Sequence, residues 1–190
     1  MKARWGFITW TFLHTLAASI PDSSYDALKS ALLTHIKAIC SSLPCPMCAK
    51  HATAHMQKVH LSHIPTRQAL VDVLYAFHNA VNLDTRKKIF PKSGLSMYDN
   101  VNLGYVFKIF NAEMAKPGDA RLMTDSMVRR MVMQRLTTFM NGLPRETYQV
   151  GANSKARAGA RRDAHAGNVR VQDGKSGGGG EGDKGDLVHA

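Results

Sequence analysis

The sequence predicts an all-α protein: a helical bundle, then a basic helical extension, then a disordered tail. Apolar side chains recur at three- and four-residue spacing along successive segments, and proline, serine or threonine separates these segments. No run of useful length alternates with the two-residue period of a strand, and no internal repeat is visible. With 190 residues and 44% hydrophobic residues, the chain has material for one folded domain plus a tail.

The first helix is expected from Trp5 to Ile20, with Gly6, Trp10, His14 and Ala17 on one face, Leu13 and Leu16 beside them, and Pro21 as its stop. Asp22 or Ser23 then caps a second helix that runs to about Ser41 on a stripe of Leu28, Leu32, Ile36 and Ile39, until Pro44 ends it. A third helix starts at Cys45, because Pro46 occupies the first helical position, where a missing N–H costs nothing and the fixed φ already suits a helix. It is expected to reach about His60. The fourth, Thr66 to Asn82, opens on a capping residue and repeats Leu70, Val71, Leu74, Phe77 and Val81 on its apolar side. Lys87 to Ser93 reads as a loop, Ser96 to Met114 as a fifth helix closed by Pro117-Gly118, and Thr124 to Met140 as a basic, Met-rich helix. From Gly151 onward large apolar side chains nearly vanish, and Ser176 to Gly182 is mostly glycine, so burial cannot offset the entropy of ordering. The expected divisions are residues 1–115, 116–150 and 151–190.

The formal charge of +11 lies mainly on the first 150 residues. Its densest patch, Lys116, Arg121, Arg129, Arg130 and Arg135, reads first as a solvated helix face; such a patch would also attract nucleic acid, a membrane surface or an acidic protein. Thr9, Thr11, His14 and Thr15 interrupt the most hydrophobic stretch, so no segment has the ~20 apolar residues of a membrane span. Helical patterning begins within the first residues and leaves no room for a leader, so a soluble protein is expected. Three cysteines, Cys40, Cys45 and Cys48, are too few for a secreted disulfide framework.

Two of them form Cys45-Pro46-Met47-Cys48. At a helix start, free backbone N–H groups and the positive dipole end favour a thiolate, and two cysteines three residues apart can approach disulfide spacing. The pair therefore suits two-electron thiol exchange. Zinc is the rival reading, since His51, His55 and His60 follow; against it, one rigid helix projects such ligands along a single face and does not surround an ion. A second constellation is His78-Asn79-Ala80-Val81-Asn82, where His78 and Asn82 stand one turn apart beside the apolar stripe. By itself it reads first as a helix end with ordinary polar satisfaction, ahead of a ligand site. Trp10 and His14, one turn apart on the first helix, read alone as a core tryptophan with a satisfied histidine, ahead of a surface that stacks on and hydrogen-bonds a planar cofactor.

Trp10-x3-His14 continuing through Leu16-Ala17-Ala18 to Pro21-Asp22, then Cys45-x2-Cys48-x2-His51, then His78-Asn79-x-Val81-Asn82, occur together and in this order. The combination resembles the Erv/ALR sulfhydryl oxidases over about Trp5 to Tyr98, and Trp5-Gly6 with the sparse cysteines is more similar to members carried by large DNA viruses. The resemblance implies a four-helix bundle with an additional short helix, noncovalent FAD, and a homodimer. It implies that Trp10, His14, His51, His78, Asn79, Val81, Asn82 and Lys92 bind FAD, and that Cys45 and Cys48 are catalytic. Cys48 would lie against the flavin while Cys45 exchanges with the incoming thiol, disulfides would form in a partner dithiol protein, and dioxygen would become hydrogen peroxide. The tail lacks the shuttle cysteine pair common in the family, so the expected partner is a thioredoxin-like or Cys-x-x-Cys carrier. Host cytoplasm or virion is the compartment implied for a viral member, with the mitochondrial intermembrane space as the alternative.

The family's aromatic after Phe90-Pro91-Lys92 is Leu95 here, which leaves that edge of the flavin without its usual neighbour. Cys40 is read as a small apolar residue of the second helix. Six of the ten methionines fall between Met114 and Met140, and packing within the bundle is the reading preferred over a docking face. The competing function is a non-enzymatic zinc-binding helical module that grips nucleic acid through its basic helix.

Overall fold

A computed structural model of the chain describes residues 4–116 and 123–149, and among them are six α-helices, three short 3-10 segments and no strand. The helices are α1 (Arg4–Ser19), α2 (Asp22–Ser41), α3 (Pro46–Gln57), α4 (Arg67–Asp84), α5 (Leu103–Met114) and α6 (Met123–Asn141). The 3-10 segments are Leu61–His63, Lys92–Tyr98 and Arg145–Tyr148. The expected tail, 151–190, lies outside the described residues, as do Pro117-Gly118 and Arg121.

α1 is buried over most of its circumference, from Ile8 and Thr9 through Phe12 to Ala18, which is the signature of a central helix. It packs most extensively on α5 and next on α4, with the Lys92–Tyr98 segment against it. Phe12 and Phe110, both 0% exposed, stack with ring centroids 4.4 Å apart and join α1 to α5. α2 carries Leu32, Ile36 and Ile39 into the same core and packs on α3, α6 and α4. Among the described residues no helix is long and apolar enough to cross a membrane.

The expected boundaries of α1 to α4 are met to within a few residues, but their chemistry differs in places. The residue at the N-cap of α2 is Pro21, which has no side chain able to cap. Asp22 is inside the first turn, where its carboxylate receives Arg67 Nε at 2.7 Å and Nη2 at 3.4 Å. Arg67 is 3% exposed at the start of α4, so its buried guanidinium takes the carboxylate that would otherwise cap the helix. α3 ends at Gln57 rather than near His60, and the chain crosses to α4 through Leu61–His63. Thr66 caps α4, its hydroxyl accepting from Ala69 N at 3.1 Å.

The single fifth helix expected over Ser96–Met114 is divided in two. Asn102 Oδ1 accepts from Tyr105 N at 2.8 Å and starts α5 afresh, while Lys92–Tyr98 is a 3-10 segment.

α6 buries Met133, Leu136 and Met140, and Phe139 stacks on His35 of α2 at 4.5 Å. Met127 and Met131 are exposed, so the methionines of this region divide between core and surface. Arg129 does not belong to a solvated basic face. It is 3% exposed and donates from Nε to the Met114 carbonyl at the end of α5, leaving Lys116, Arg130 and Arg135 as exposed cations.

Candidate active site

Cys45 is the N-cap of α3, Pro46 follows in the first turn, and Cys45 Sγ accepts from Cys48 N at 3.3 Å. The two sulfurs form a disulfide across a Cα–Cα distance of 5.2 Å, which an extended N-cap residue followed by one helical turn supplies. Both cysteines are partly exposed, so neither is sealed from a reacting thiol. Cys40, by contrast, is buried on α2, and desolvation pushes its thiol up to about 12. That keeps it protonated and inert, as the expectation of a small packed residue requires.

On a helix of 3.6 residues per turn, Cys48, Ala52 and His55 share one face of α3. Ala52 is buried, and His55 stacks on Phe77 of α4 with centroids 4.5 Å apart. Phe77 meets Trp10 of α1 edge-on at 5.1 Å, and Trp10 lies parallel to His78 at 4.2 Å. His14 adds a hydrogen bond between its Nε2 and His78 Nδ1 at 3.1 Å. A continuous set of flat rings thus runs from the face of α3 that carries Cys48 to an imidazole pair between α1 and α4.

The far side of this cluster is closed by the chain after α4. Arg86 has φ 52° and Lys87 N donates to Asn82 O at 2.7 Å, a turn that ends α4 and reverses the backbone. The returning strand of chain is latched by Asn79, whose Oδ1 accepts from Phe90 N at 2.8 Å and whose Nδ2 donates to Phe90 O at 3.1 Å. Phe90 is thereby set over His78, centroids 5.1 Å apart. A Cβ at Gly94 would lie 2.8 Å from the Phe90 ring, so only glycine lets the turn approach so closely. Tyr98 stacks on His14 at 4.9 Å.

Of the residues expected from the sequence, Trp10, His14 and His78 come together directly. Asn79 and buried Asn82 are linked to each other, Asn82 Nδ2 donating to Asn79 Oδ1 at 3.4 Å, and Val81 packs partly buried against the core. Lys92 stands apart, exposed and paired with Asp72 at 3.2 Å. His51 is exposed on α3, and His55, one turn on, is the imidazole that reaches the ring cluster. Sequence reasoning offered His55 only as a zinc ligand and passed over Tyr98. The seven-residue step from Cys48 to His55 was the signal for the first; no spacing rule marks the second, which depends on the 3-10 path.

The electrostatics of the cluster are those of a neutral, desolvated interior. Desolvation, with His78 adding to it, lowers His14 to about 4; desolvation, with Lys87 adding to it, lowers His78 to about 4. Both imidazoles are uncharged at neutral pH. Nδ1 of His14 is buried and has no hydrogen-bonding partner among the described residues, a cost that a native site ordinarily avoids or reserves for a ligand. As for zinc, among the described residues no group of three or more His, Cys, Asp or Glu side chains is arranged to hold a metal.

Among the described residues an all-helical bundle carries a Cys-x-x-Cys disulfide at a helix mouth and an uncharged aromatic cluster beyond it, the features of a helical thiol–disulfide protein. Residues 8–101, just under half of the chain, match the model of the Erv1/Alr family. It is 27% identical over 95 residues to a protein of Invertebrate iridescent virus 6 provisionally named FAD-linked sulfhydryl oxidase 347L, with 47% of this chain and 86% of that protein covered. It is 30% identical over 84 residues to the similarly named 096R of Invertebrate iridescent virus 3, covering 44% of this chain and 57% of that relative. The chain thus spans little more than half the length of the second relative. No solved structure matches the chain significantly.

Proposed function

We propose that the protein is a FAD-linked sulfhydryl oxidase that makes disulfides in a partner protein through Cys45 and Cys48. The observation that carries this reading is the run of rings from His55, two turns beyond Cys48, through Phe77 and Trp10 to His78 and His14. The chemistry of the ring cluster suits an isoalloxazine system in three respects. Trp10, His78, Phe90 and Tyr98 offer flat faces, the orphaned Nδ1 of His14 offers a hydrogen-bonding atom, and the neutral imidazoles place no charge against the ring.

Trp10, His14, His78 and Asn82 would hold the flavin, with Val81 behind them and Asn79 positioning Phe90. Lys92 and His51, both exposed, are suited to the charged, solvent-facing part of a dinucleotide. FAD when bound accepts an electron pair from the reduced cysteine pair and passes it to dioxygen, giving hydrogen peroxide. The protein's own chemistry comes first. A substrate thiolate attacks Cys45 Sγ, the Cys45–Cys48 bond breaks, and Cys48 leaves as a thiolate on the face of α3 that meets His55. The second substrate thiol then attacks the mixed disulfide, freeing Cys45 and releasing the substrate with its new S–S bond. Two electrons and two protons have moved from substrate to the cysteine pair. The α3 N-terminus favours each thiolate as it forms.

The partner is a dithiol protein, a thioredoxin-like or Cys-x-x-Cys carrier, and the working form is a homodimer in the host cytoplasm or virion. The oxidase unit is residues 1–115, with 116–150 an extension and 151–190 a tail. Purified protein should be yellow, show flavin absorbance and consume oxygen with dithiothreitol. Colourless protein that releases zinc on denaturation would instead support a metal-binding module and overturn the reading.

A further inference from the structure

We infer that the cleft between α3 and α6 is the docking groove for the dithiol substrate, and that it takes an extended segment of the partner, apolar with an acidic residue, next to the reacting cysteine. The inference rests on the oxidase reading above and adds the surface by which the substrate is chosen. The cleft has a volume of about 490 Å³, in the range that holds several side chains, and among its lining residues are Pro44, Pro46, Lys50, Thr53 and Gln57, with Val128 of α6 opposite.

Two geometric facts place it in the reaction path. Pro44 and Pro46, the chain neighbours of Cys45, line the groove, so it runs beside the mouth of α3 where the disulfide lies. Lys50, Thr53 and Gln57 lie on the face of α3 roughly opposite Cys48 and His55, since seven residues bring a helix back to the same side and the two sets differ by about half a turn. A chain in the groove therefore approaches the helix mouth along the side of α3 away from the ring cluster. The lining supplies the chemistry of choice as well: proline and valine for apolar side chains, exposed Lys50 for a carboxylate, and no acidic side chain among the described lining residues. Val128 is 51% exposed although apolar, and it belongs to α6, beyond the 8–101 segment that matches the family. One wall of the groove is thus contributed by α6, outside the 8–101 segment, while Lys50 lies within it.

The test compares oxygen consumption by the full chain with dithiothreitol and with two synthetic dicysteine peptides, one flanked by an acidic apolar tract and the other by the same tract with lysine in place of the acid. Wild type should show the lower KM for the acidic peptide. Lys50→Glu should raise that KM roughly fivefold, lower it for the basic peptide, and leave dithiothreitol turnover unchanged. Val128→Asp, a surface change, should raise the KM for the acidic peptide in the same way. If both variants oxidise the two peptides as wild type does, the groove is not the docking surface even though the oxidase stands. If Lys50→Glu leaves the peptides unaffected but alters the oligomeric state, a second copy of the chain occupies the cleft and the inference is overturned. If wild type oxidises no dithiol at all, the oxidase reading fails and this one with it.

Discussion

At the scale of single residues, the site is built from groups that would be poor choices anywhere else. Gly94 is one. With the Phe90 ring 2.8 Å from where its Cβ would be, Gly94→Ala must push the ring off His78 or shift the 3-10 turn. The expected cost is roughly 1–3 kcal/mol, with weaker FAD retention on gel filtration; a variant that keeps wild-type melting and flavin content would show that the close approach is unimportant. His14 and His78 are a second case. Both bind a proton near pH 6.5 in the unfolded chain but only near 4 in the folded one. Stability from the pair is therefore complete above about pH 6.5 and is lost as pH falls toward 4, because the unfolded state takes up protons that the folded state refuses. For His14, which is 2% exposed, the loss is at most about 3 kcal/mol. Melting of flavin-free protein between pH 7 and 4 should fall more steeply for wild type than for His14→Asn. Parallel curves would contradict the burial of a neutral imidazole.

At the scale of elements, the turn after α4 decides whether the site closes. Arg86 holds a left-handed conformation, φ 52°, which L side chains other than asparagine and aspartate adopt at a cost. Arg86→Gly should raise stability by about 1 kcal/mol and leave flavin binding intact, since the turn needs the conformation and not the guanidinium. A loss of stability on that change would mean the side chain makes a contact of its own. Helices were the most legible part of the sequence, for a plain reason. Pro46 and Thr66 carry their caps in their own chemistry, and Leu70, Leu74 and Phe77 mark a face that any bundle must bury. The misreadings came where a distant partner outbid the local rule. Asp22 gave its carboxylate to Arg67, forty-five residues on, instead of to its own helix. The expected fifth helix was broken by Asn102, whose side chain caps a new start, and no hydrophobic period announces that.

At the scale of the molecule, the ordered set Trp10, His14, Cys45, Cys48, His78, Asn79 pointed to one family before any geometry was available, and α1, α3 and α4 bring most of it together. What the order could not reveal is the full ring cluster. It begins at His55 and Phe77 on the side of α3 and ends at Tyr98 against His14, residues that in sequence are an alternative metal ligand, a core residue and an unremarked tyrosine. Nor could periodicity reveal that α6 folds back on α2 and α5 with Arg129 buried, because an arginine among arginines reads as surface. Under the proposed function the cysteines divide the labour, Cys45 at the helix mouth taking the incoming thiol and Cys48 lying on the face of α3 that also carries His55.

Anaerobic mixing of the flavin-loaded protein with excess dithiothreitol probes this division most directly. Flavin absorbance should bleach rapidly in wild type and fail to do so in Cys48→Ser with FAD still bound. Bleaching at the wild-type rate in Cys48→Ser would mean that electrons reach the flavin by some route other than the disulfide at the mouth of α3.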